Sequence, residues 1–385
     1  MVTAPVFRIS VYDKDRVFRC QIGNPSSLTA TVRHNLVSTL SMTVPLAHPK
    51  LDELIPNGDV NPGARLRVTY RGEHLISGPI TGYEIKTDGA TGACTISVED
   101  DFRILREVLG WQVPTSAITA QGASEYRTYT GNAETIVKAV VNENAVTRLG
   151  VPGLSVAPNL NRGAVIPGGV PFRMHRLDDK LLPAIEDAGI GITVKQVGSG
   201  LVLDVHEPAT YPRALSVKGR TLKEATLTHT RPTASRAIVG GPGDGILRNF
   251  RQVTDLGRET TYGMRAEVFR DARDAQDEDA PDIMDARGQE DLNEHGPKNG
   301  IKLTLAGTGI FQYGPGGFHV GDRLPVKITD ALTVTEVIRE CTLKWVSPTY
   351  AAVEPSVGDL TDQPERITAQ RIAALARAKR DQEKR

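Results

Sequence analysis

The sequence is poor in aromatic residues, which make up 5% of it, and has no surplus of charge of either sign, with 46 Lys and Arg against 46 Asp and Glu. Proteins that grip nucleic acid draw most of their affinity from neutralising phosphates, and they carry a basic excess. This chain lacks that excess and the ring platforms that hold single strands. Sequence-specific nucleic acid is therefore not an expected partner. Cysteine is equally scarce. Cys20, Cys94 and Cys341 lie far apart, form no CxxC and are odd in number, so no disulfide framework is implied. Assembly in a reducing cytoplasm fits that pattern. Cys94 and Cys341 sit in alternating strand-like runs, where a thiol serves as a small apolar side chain. No run approaches the ~18 apolar residues needed to span a bilayer. Residues 1–5 offer neither the basic stretch nor the apolar core of a signal peptide. The expectation is an unexported chain without a membrane span.

Signatures of catalysis are missing as well. Gly240-Gly241-Pro242-Gly243-Asp244-Gly245 invites comparison with a phosphate cradle, but Ile246-Leu247-Arg248 follows where a P-loop needs Lys and Ser or Thr. Strand-like sequence flanks it on both sides, so it reads as a hairpin turn. Asp271, Asp274, Asp277 and Asp279 have neither the spacing nor the central glycine of an EF-hand loop, and read as an exposed acidic loop. The histidines, at 34, 48, 74, 175, 206, 229, 295 and 319, form no HExxH and do not cluster with cysteine. Ser199, in Gly198-Ser199-Gly200, lacks the frame of a hydrolase elbow. No catalytic, cofactor-binding or metal-binding residue is assigned, and no cofactor is expected.

What the chain does contain is alternation. Phe7, Ile9 and Val11 alternate with polar neighbours, as do Leu28, Ala30 and Val32, then Leu40, Met42, Val44 and Leu46, then Leu66, Val68 and Tyr70, then Cys94, Ile96 and Val98. Period two buries one face of a strand and wets the other, as in antiparallel sheets closed into barrels or sandwiches. Phe102, Leu105 and Leu109 fall at helical spacing before Gly110. Residues 1–110 thus read as a β-barrel domain closed by a helix. Residues 111–214 read as a small α+β module. In it Asn132 caps a helix bearing Ile136, Val137, Val140 and Val141, and a second helix carries Leu181, Leu182, Ile185 and Ala188 up to Gly189. Strand-like runs return in residues 215–356, at 225–230, 236–239, 247–253, 265–269, 301–305, 324–328 and 341–346. An acidic loop and a helix are inserted near 270–298, and residues 357–385 form a charged C-terminal helix or tail.

One internal echo links the two β regions. Gly63-Ala64-Arg65-Leu66-Arg67-Val68 and Gly321-Asp322-Arg323-Leu324-Pro325-Val326 share G-x-R-L-x-V, and a β-branched strand starts thirteen residues after each glycine, at Ile76 and Val334. The expectation is a duplicated barrel.

Thr233-Ala234-Ser235-Arg236-Ala237-Ile238-Val239-Gly240-Gly241, the Gly-Asp-Gly that follows and Arg248–Arg251 resemble the central segment of the Siphovirus Gp37-like minor tail proteins of actinobacterial phages. The opening strands through Glu99-Asp100-Asp101, and the Gly321-Asp322 turn, resemble the same family, so that the likeness covers residues 5–356. The resemblance implies the fold of baseplate hubs and of the N-terminal region of tail-associated lysins, mainly β with α+β insertions. That fold has two tail-tube-like β-barrel domains plus a small α+β module. It also implies a homo-trimeric ring at the tail tip of the virion, joining the tail tube to tip proteins and enclosing the DNA channel. The implied partners are distal tail protein or tail tube subunits, tape measure protein, and other tip proteins or fibres. No lytic domain follows residue 356, which argues against the wall-digesting role of tail-associated lysins. A receptor- or carbohydrate-binding tail protein is the runner-up reading, and a cell-wall hydrolase comes after it.

Residues 361–385 offer only Ile367, Ile372 and Leu375 as large apolar positions, with Ala374 and Ala378 completing a narrow stripe on a helix. Such a helix is marginal alone but can dock in a groove of a neighbouring protein. Deleting 361–385 is predicted to leave the β regions folded by circular dichroism while lowering incorporation into virions. Infectious tails at normal yield from the truncated chain would refute the docking role.

Overall fold

The computed structural model describes residues 5–88, 91–186, 188–219, 221–243, 245–273, 280–305, 312–330 and 332–358. The described residues are mainly β, with 42% in strands against 20% in helices. It divides into two compact units, one made of residues up to 225 together with 302–357, the other containing 226–301. The stretch 361–385 considered above lies outside the described residues.

The first unit begins with β1 (Phe7–Tyr12), β2 (Phe18–Ile22), β3 (Ser27–Arg33), β4 (Thr39–Pro45), β5 (Arg65–Tyr70), β6 (Glu73–Asp88) and β7 (Thr91–Glu99). All pair antiparallel, in the order β3-β4-β7-β6-β5-β1-β2. The alternation in the sequence is what places them. Phe7, Ile9, Val11, Leu28, Ala30, Leu40, Met42, Val44, Leu66, Val68, Cys94, Ile96 and Val98 are all buried, each large one contributing about 1.5–3 kcal/mol. Strand β6 is long because it bends: its first part pairs β5, its last part pairs β7, and the register slips between Ile80 and Gly82. Close packing at the bend demands glycine at 78, where a Cβ would stand 1.8 Å from the Glu99 carbonyl oxygen.

The helix expected over Phe102, Leu105 and Leu109 is a single turn, α1 (Ile104–Glu107). At Val108 the chain is already extended, with φ −103° and ψ 137°, and its carbonyl accepts a hydrogen bond from the Leu177 amide. A competing strand partner ends the helix there: β8 (Leu109–Gly110) pairs with β12 (His175–Arg176), and Leu109 is exposed. Between them lie β9 (Arg127–Tyr129), α2 (Ala133–Val141), β10 (Leu154–Val156) and β11 (Val170–Phe172). After β12 come α3 (Leu177–Ile185), β13 (Gly191–Val197) and β14 (Gly200–His206). The Asn132 side chain caps α2 by accepting from the Thr135 amide at 2.9 Å, and Ile136, Val137, Val140 and Val141 are fully buried. They pack with Leu181 and Ile185 of α3 and with Leu201, Leu203 and Val205 of β14 in one apolar cluster.

Strand β15 (Leu222–Thr230) leads to the second unit. There β16 (Arg236–Gly240), β17 (Phe250–Thr254) and β18 (Glu267–Asp271) form a separate sheet in the order β17-β16-β18, accompanied by α4 (Leu256–Tyr262) and α5 (Ala280–Glu294). Met284, Gly288 and Leu292 make the buried stripe of α5, and Met284 packs with Val239 and Ala272. These three strands, assigned from the sequence to a second barrel, have a small core of their own.

The chain returns through β19 (Lys298–Leu305) to β20 (Arg323–Lys327), β21 (Thr333–Ser347) and β22 (Tyr350–Gly358). This return repeats the first half at a constant offset in sequence. Arg65 pairs with Pro79 and Val68 with Ile76; Arg323 pairs with Val337 and Val326 with Val334. Like β6, β21 pairs its first part with β20 and its last part with β22, and its register slips between Ile338 and Glu340. The strand order β15-β19-β22-β21-β20 therefore matches β3-β4-β7-β6-β5. Residues 210–215 flank β20 through two isolated bridges, in the place β1 takes beside β5, but run parallel instead of antiparallel. The expectation of closed barrels is corrected. β3 gives its outer edge to β21 rather than to a strand of its own half, so the halves merge into one twelve-stranded sheet. Its hydrogen-bonded path has ends at β2 and β15, and no ladder among the described strands closes it into a ring.

Two measurements test how this unit is held. Asp101 is fully buried and accepts from Arg65 Nη2 at 2.6 Å and Ser77 Oγ at 2.9 Å. Asp101→Ala strands a buried guanidinium and is predicted to cost about 3–5 kcal/mol in urea unfolding; a loss below about 1 kcal/mol would show the pair to be dispensable. The second test is acid. Burial pushes His74 down to about 4 from an ordinary 6.5, so between those values the unfolded chain binds a proton that the folded chain refuses. Stability is then full above pH 6.5 and falls as pH drops toward 4, by about 2 kcal/mol at pH 5 and about 3 kcal/mol at pH 4. His74→Leu is predicted to flatten that slope, read as the urea midpoint at pH 7.5 and 5; an unchanged slope would exonerate His74.

Candidate functional site

The features singled out in the sequence fall on structural duties. The glycine-rich run joins β16 to the antiparallel β17, so the hairpin reading is borne out. Gly243 adopts φ +105°, and a Cβ there would lie 2.3 Å from the Leu247 carbonyl oxygen. Arg248 folds back over this turn, donating to the Gly240 carbonyl at 3.1 Å and to Asp271 Oδ1 at 2.8 Å, with its guanidinium beside the rings of Phe250 and Phe269. Of the four aspartates examined as calcium ligands, Asp271 serves Arg248; Asp274, Asp277 and Asp279 lie outside the described residues. Ser199 contributes its carbonyl, which accepts from Arg16 Nε at 2.5 Å. His34 and His206 meet edge to face, and His319 Nε2 lies 2.8 Å from Glu73 Oε2. Among the described residues no three His, Cys, Asp or Glu side chains gather where a metal ion could be held. The cysteines are buried and unpaired, as expected for small apolar side chains, and burial pushes all three thiols up, away from the reactive thiolate.

The feature that organises the first unit is the seam between its β halves. Along it Arg33 to Thr29 of β3 pair with Glu340 to Lys344 of β21. Ala30, Cys341 and Leu343 are fully buried beneath it. On the other face Arg33 Nε donates to Glu340 Oε2 at 2.7 Å and Arg33 Nη1 to the Val37 carbonyl at 3.0 Å, while the hydroxyls of Thr31 and Thr342 lie 3.4 Å apart. A half-buried ion pair of this kind adds modestly to the ladder and sets its register. The seam lays two equivalent halves side by side in one sheet. The G-x-R-L-x-V echo located β5 and β20, and the strand starts read at Ile76 and Val334 fall in β6 and β21, but the seam was missed. Among the described strands only β6 and β21 run to 15 residues or more.

Comparison with known proteins agrees with this architecture. A 43 kDa tail protein of prophage MuSo2 from Shewanella oneidensis is similar at a TM-score of 0.55 and 16% identity, over 91% of this chain and 97% of that one. Prophage tail protein gp18 from Listeria monocytogenes EGD-e is similar at 0.52 and 14%, over 96% and 99%. A tail protein from Neisseria meningitidis MC58 is similar at 0.52 and 11%, over 92% and 97%. At these identities the likeness is one of fold. No curated protein sequence matches the chain. Among the described residues no helix is long and apolar enough to cross a membrane. The Siphovirus ReqiPepy6 Gp37-like family matches residues 8–359, nearly the whole chain, and this protein belongs to that family.

Proposed function

We propose that this chain is a structural, non-enzymatic minor tail protein of a long-tailed phage, forming a trimeric hub ring at the tail tip. The ring joins the tail tube to tip proteins and encloses the channel through which DNA leaves. The observation that carries this reading is the doubled β architecture, two halves of matching strand order and register locked into one sheet. Three chains with two tube-like halves each present six such units, which lets a threefold tip abut a hexameric tube. Residues 111–214 act in this scheme as an accessory α+β module between the halves. The partners are further copies of the chain, distal tail protein or tube subunits, tape measure protein, and other tip proteins or fibres. Assembly takes place in the host cytoplasm and the product resides in the virion.

Native mass spectrometry of the purified chain, alone and mixed with tail tube protein, is predicted to show a species of three times the 41.6 kDa chain mass. Negative-stain images of that species should show a central opening. A chain that stays monomeric at every concentration and with every tail partner would sink the hub reading.

A further inference from the structure

Tyr83 and Ile85 of β6 are 38% and 47% exposed, whereas the residues at the same places in β21, Cys341 and Leu343, are fully buried. The difference is the neighbour. Over Glu340 to Lys344, β21 has β22 on one edge and β3 on the other. Over Gly82 to Lys86, β6 has β7 on one edge, and no strand among the described residues pairs with the other. An open, partly apolar edge is a site where a further strand adds. Among the described residues the second half has an open edge too, at β15, which ends the sheet in the position that β3 holds in the first half. The segments echo each other, with Ala225-Thr226-Leu227 in β15 against Ala30-Thr31-Val32 in β3. The free edge of one half thus has the shape that β21 offers, and the free edge of the other carries the sequence that β21 accepts.

We propose that β6 of one copy pairs antiparallel with β15 of the next copy, repeating between chains the seam that joins β21 to β3 within a chain. This inference rests on the hub reading and names the surface through which its copies join. The internal seam sets the register. Leu343 faces Ala30, Thr342 faces Thr31 and Cys341 faces Val32, so Ile85 faces Ala225, Glu84 faces Thr226 and Tyr83 faces Leu227. The same register sets Lys86 opposite Glu224, two exposed residues of opposite charge, a favourable cross-strand pair. Like-signed charges there would have argued against a second copy as the occupant. Because β6 and β15 are different surfaces, the contact is head-to-tail: it consumes one edge of each kind per copy and closes when the chain of copies becomes a ring.

The test is a cysteine pair in the full-length chain, Ile85→Cys with Ala225→Cys, oxidised mildly and run on a non-reducing gel. Directly opposed strand residues have Cβ atoms about 4.5–5.5 Å apart, within reach of a disulfide. The double variant is expected to give covalent dimers and trimers that dithiothreitol reverses. A mixture of the two single variants should stop at dimers, and neither single variant nor the native chain should cross-link. Moving the first cysteine to Glu84→Cys should abolish the bond, since that side chain lies on the other face. Independently, the double substitution Tyr83→Lys with Ile85→Lys should weaken self-association at least tenfold by sedimentation, with the circular dichroism spectrum unchanged. Oligomers of the expected mass without cross-links, and indifferent to the lysines, would overturn this interface and leave the hub reading standing. A strictly monomeric chain would overturn both. Cross-linked ladders running well past the trimer would support the pairing and refute the closed trimeric ring.

Discussion

A strand with one buried face still has backbone groups along its edges to satisfy, and the way β3 satisfies its outer edge governs the rest of this protein. It pairs with β21, from the far end of the sequence. That ladder costs the closure of a very long loop, and the cost grows only slowly with length. Its effects on architecture are larger. With β3 committed to β21, the last part of β6 keeps one edge that no described strand pairs with, and the two halves are held in one sheet. Repetition of register, down to the slip after Ile80 and after Ile338, means that both halves present the same geometry to whatever lies beyond them.

The interior of the first unit is tied together by a few buried polar groups more than by any single apolar contact. Ser77 Oγ donates to Asp101 and accepts from the Gln196 amide, so β6, the turn before α1 and β13 meet at one hydroxyl. A second group joins α2 to β14. Glu134, fully buried, takes Arg162 at 2.8 Å and Lys138 at 2.7 Å, and both cations also reach Asp204. The Arg162 guanidinium and the Lys138 ammonium hold the Glu134 carboxyl well below the usual carboxylate range. Charges this deep lower stability when unpaired, yet once paired they tolerate only one arrangement of the elements that carry them. For the hub role proposed above, that restriction is the useful property.

Much of the local structure is dictated by the sequence itself. Alternation at Phe7, Ile9 and Val11 or at Cys94, Ile96 and Val98 decides which face of a strand is buried, because period two is a property of the backbone and needs no partner. Asn132 starts α2 and Gly243 turns a hairpin for equally local reasons, a side-chain acceptor for an unpaired amide and a freely adopted positive φ. The duplication was legible too, since G-x-R-L-x-V survives at β5 and β20. What only the tertiary structure decided is which edges meet. Edge pairing is made by amides and carbonyls that every residue carries, so nothing in Ser27–Arg33 announces β21 as its neighbour. For the same reason the helix spacing of Phe102, Leu105 and Leu109 yields at Val108 to a strand partner sixty-odd residues away. Likewise the strands at 236–240, 250–254 and 267–271 read as strands like the others but form a sheet apart. Side-chain pattern assigns faces, and backbone hydrogen bonding, blind to residue type, assigns neighbours.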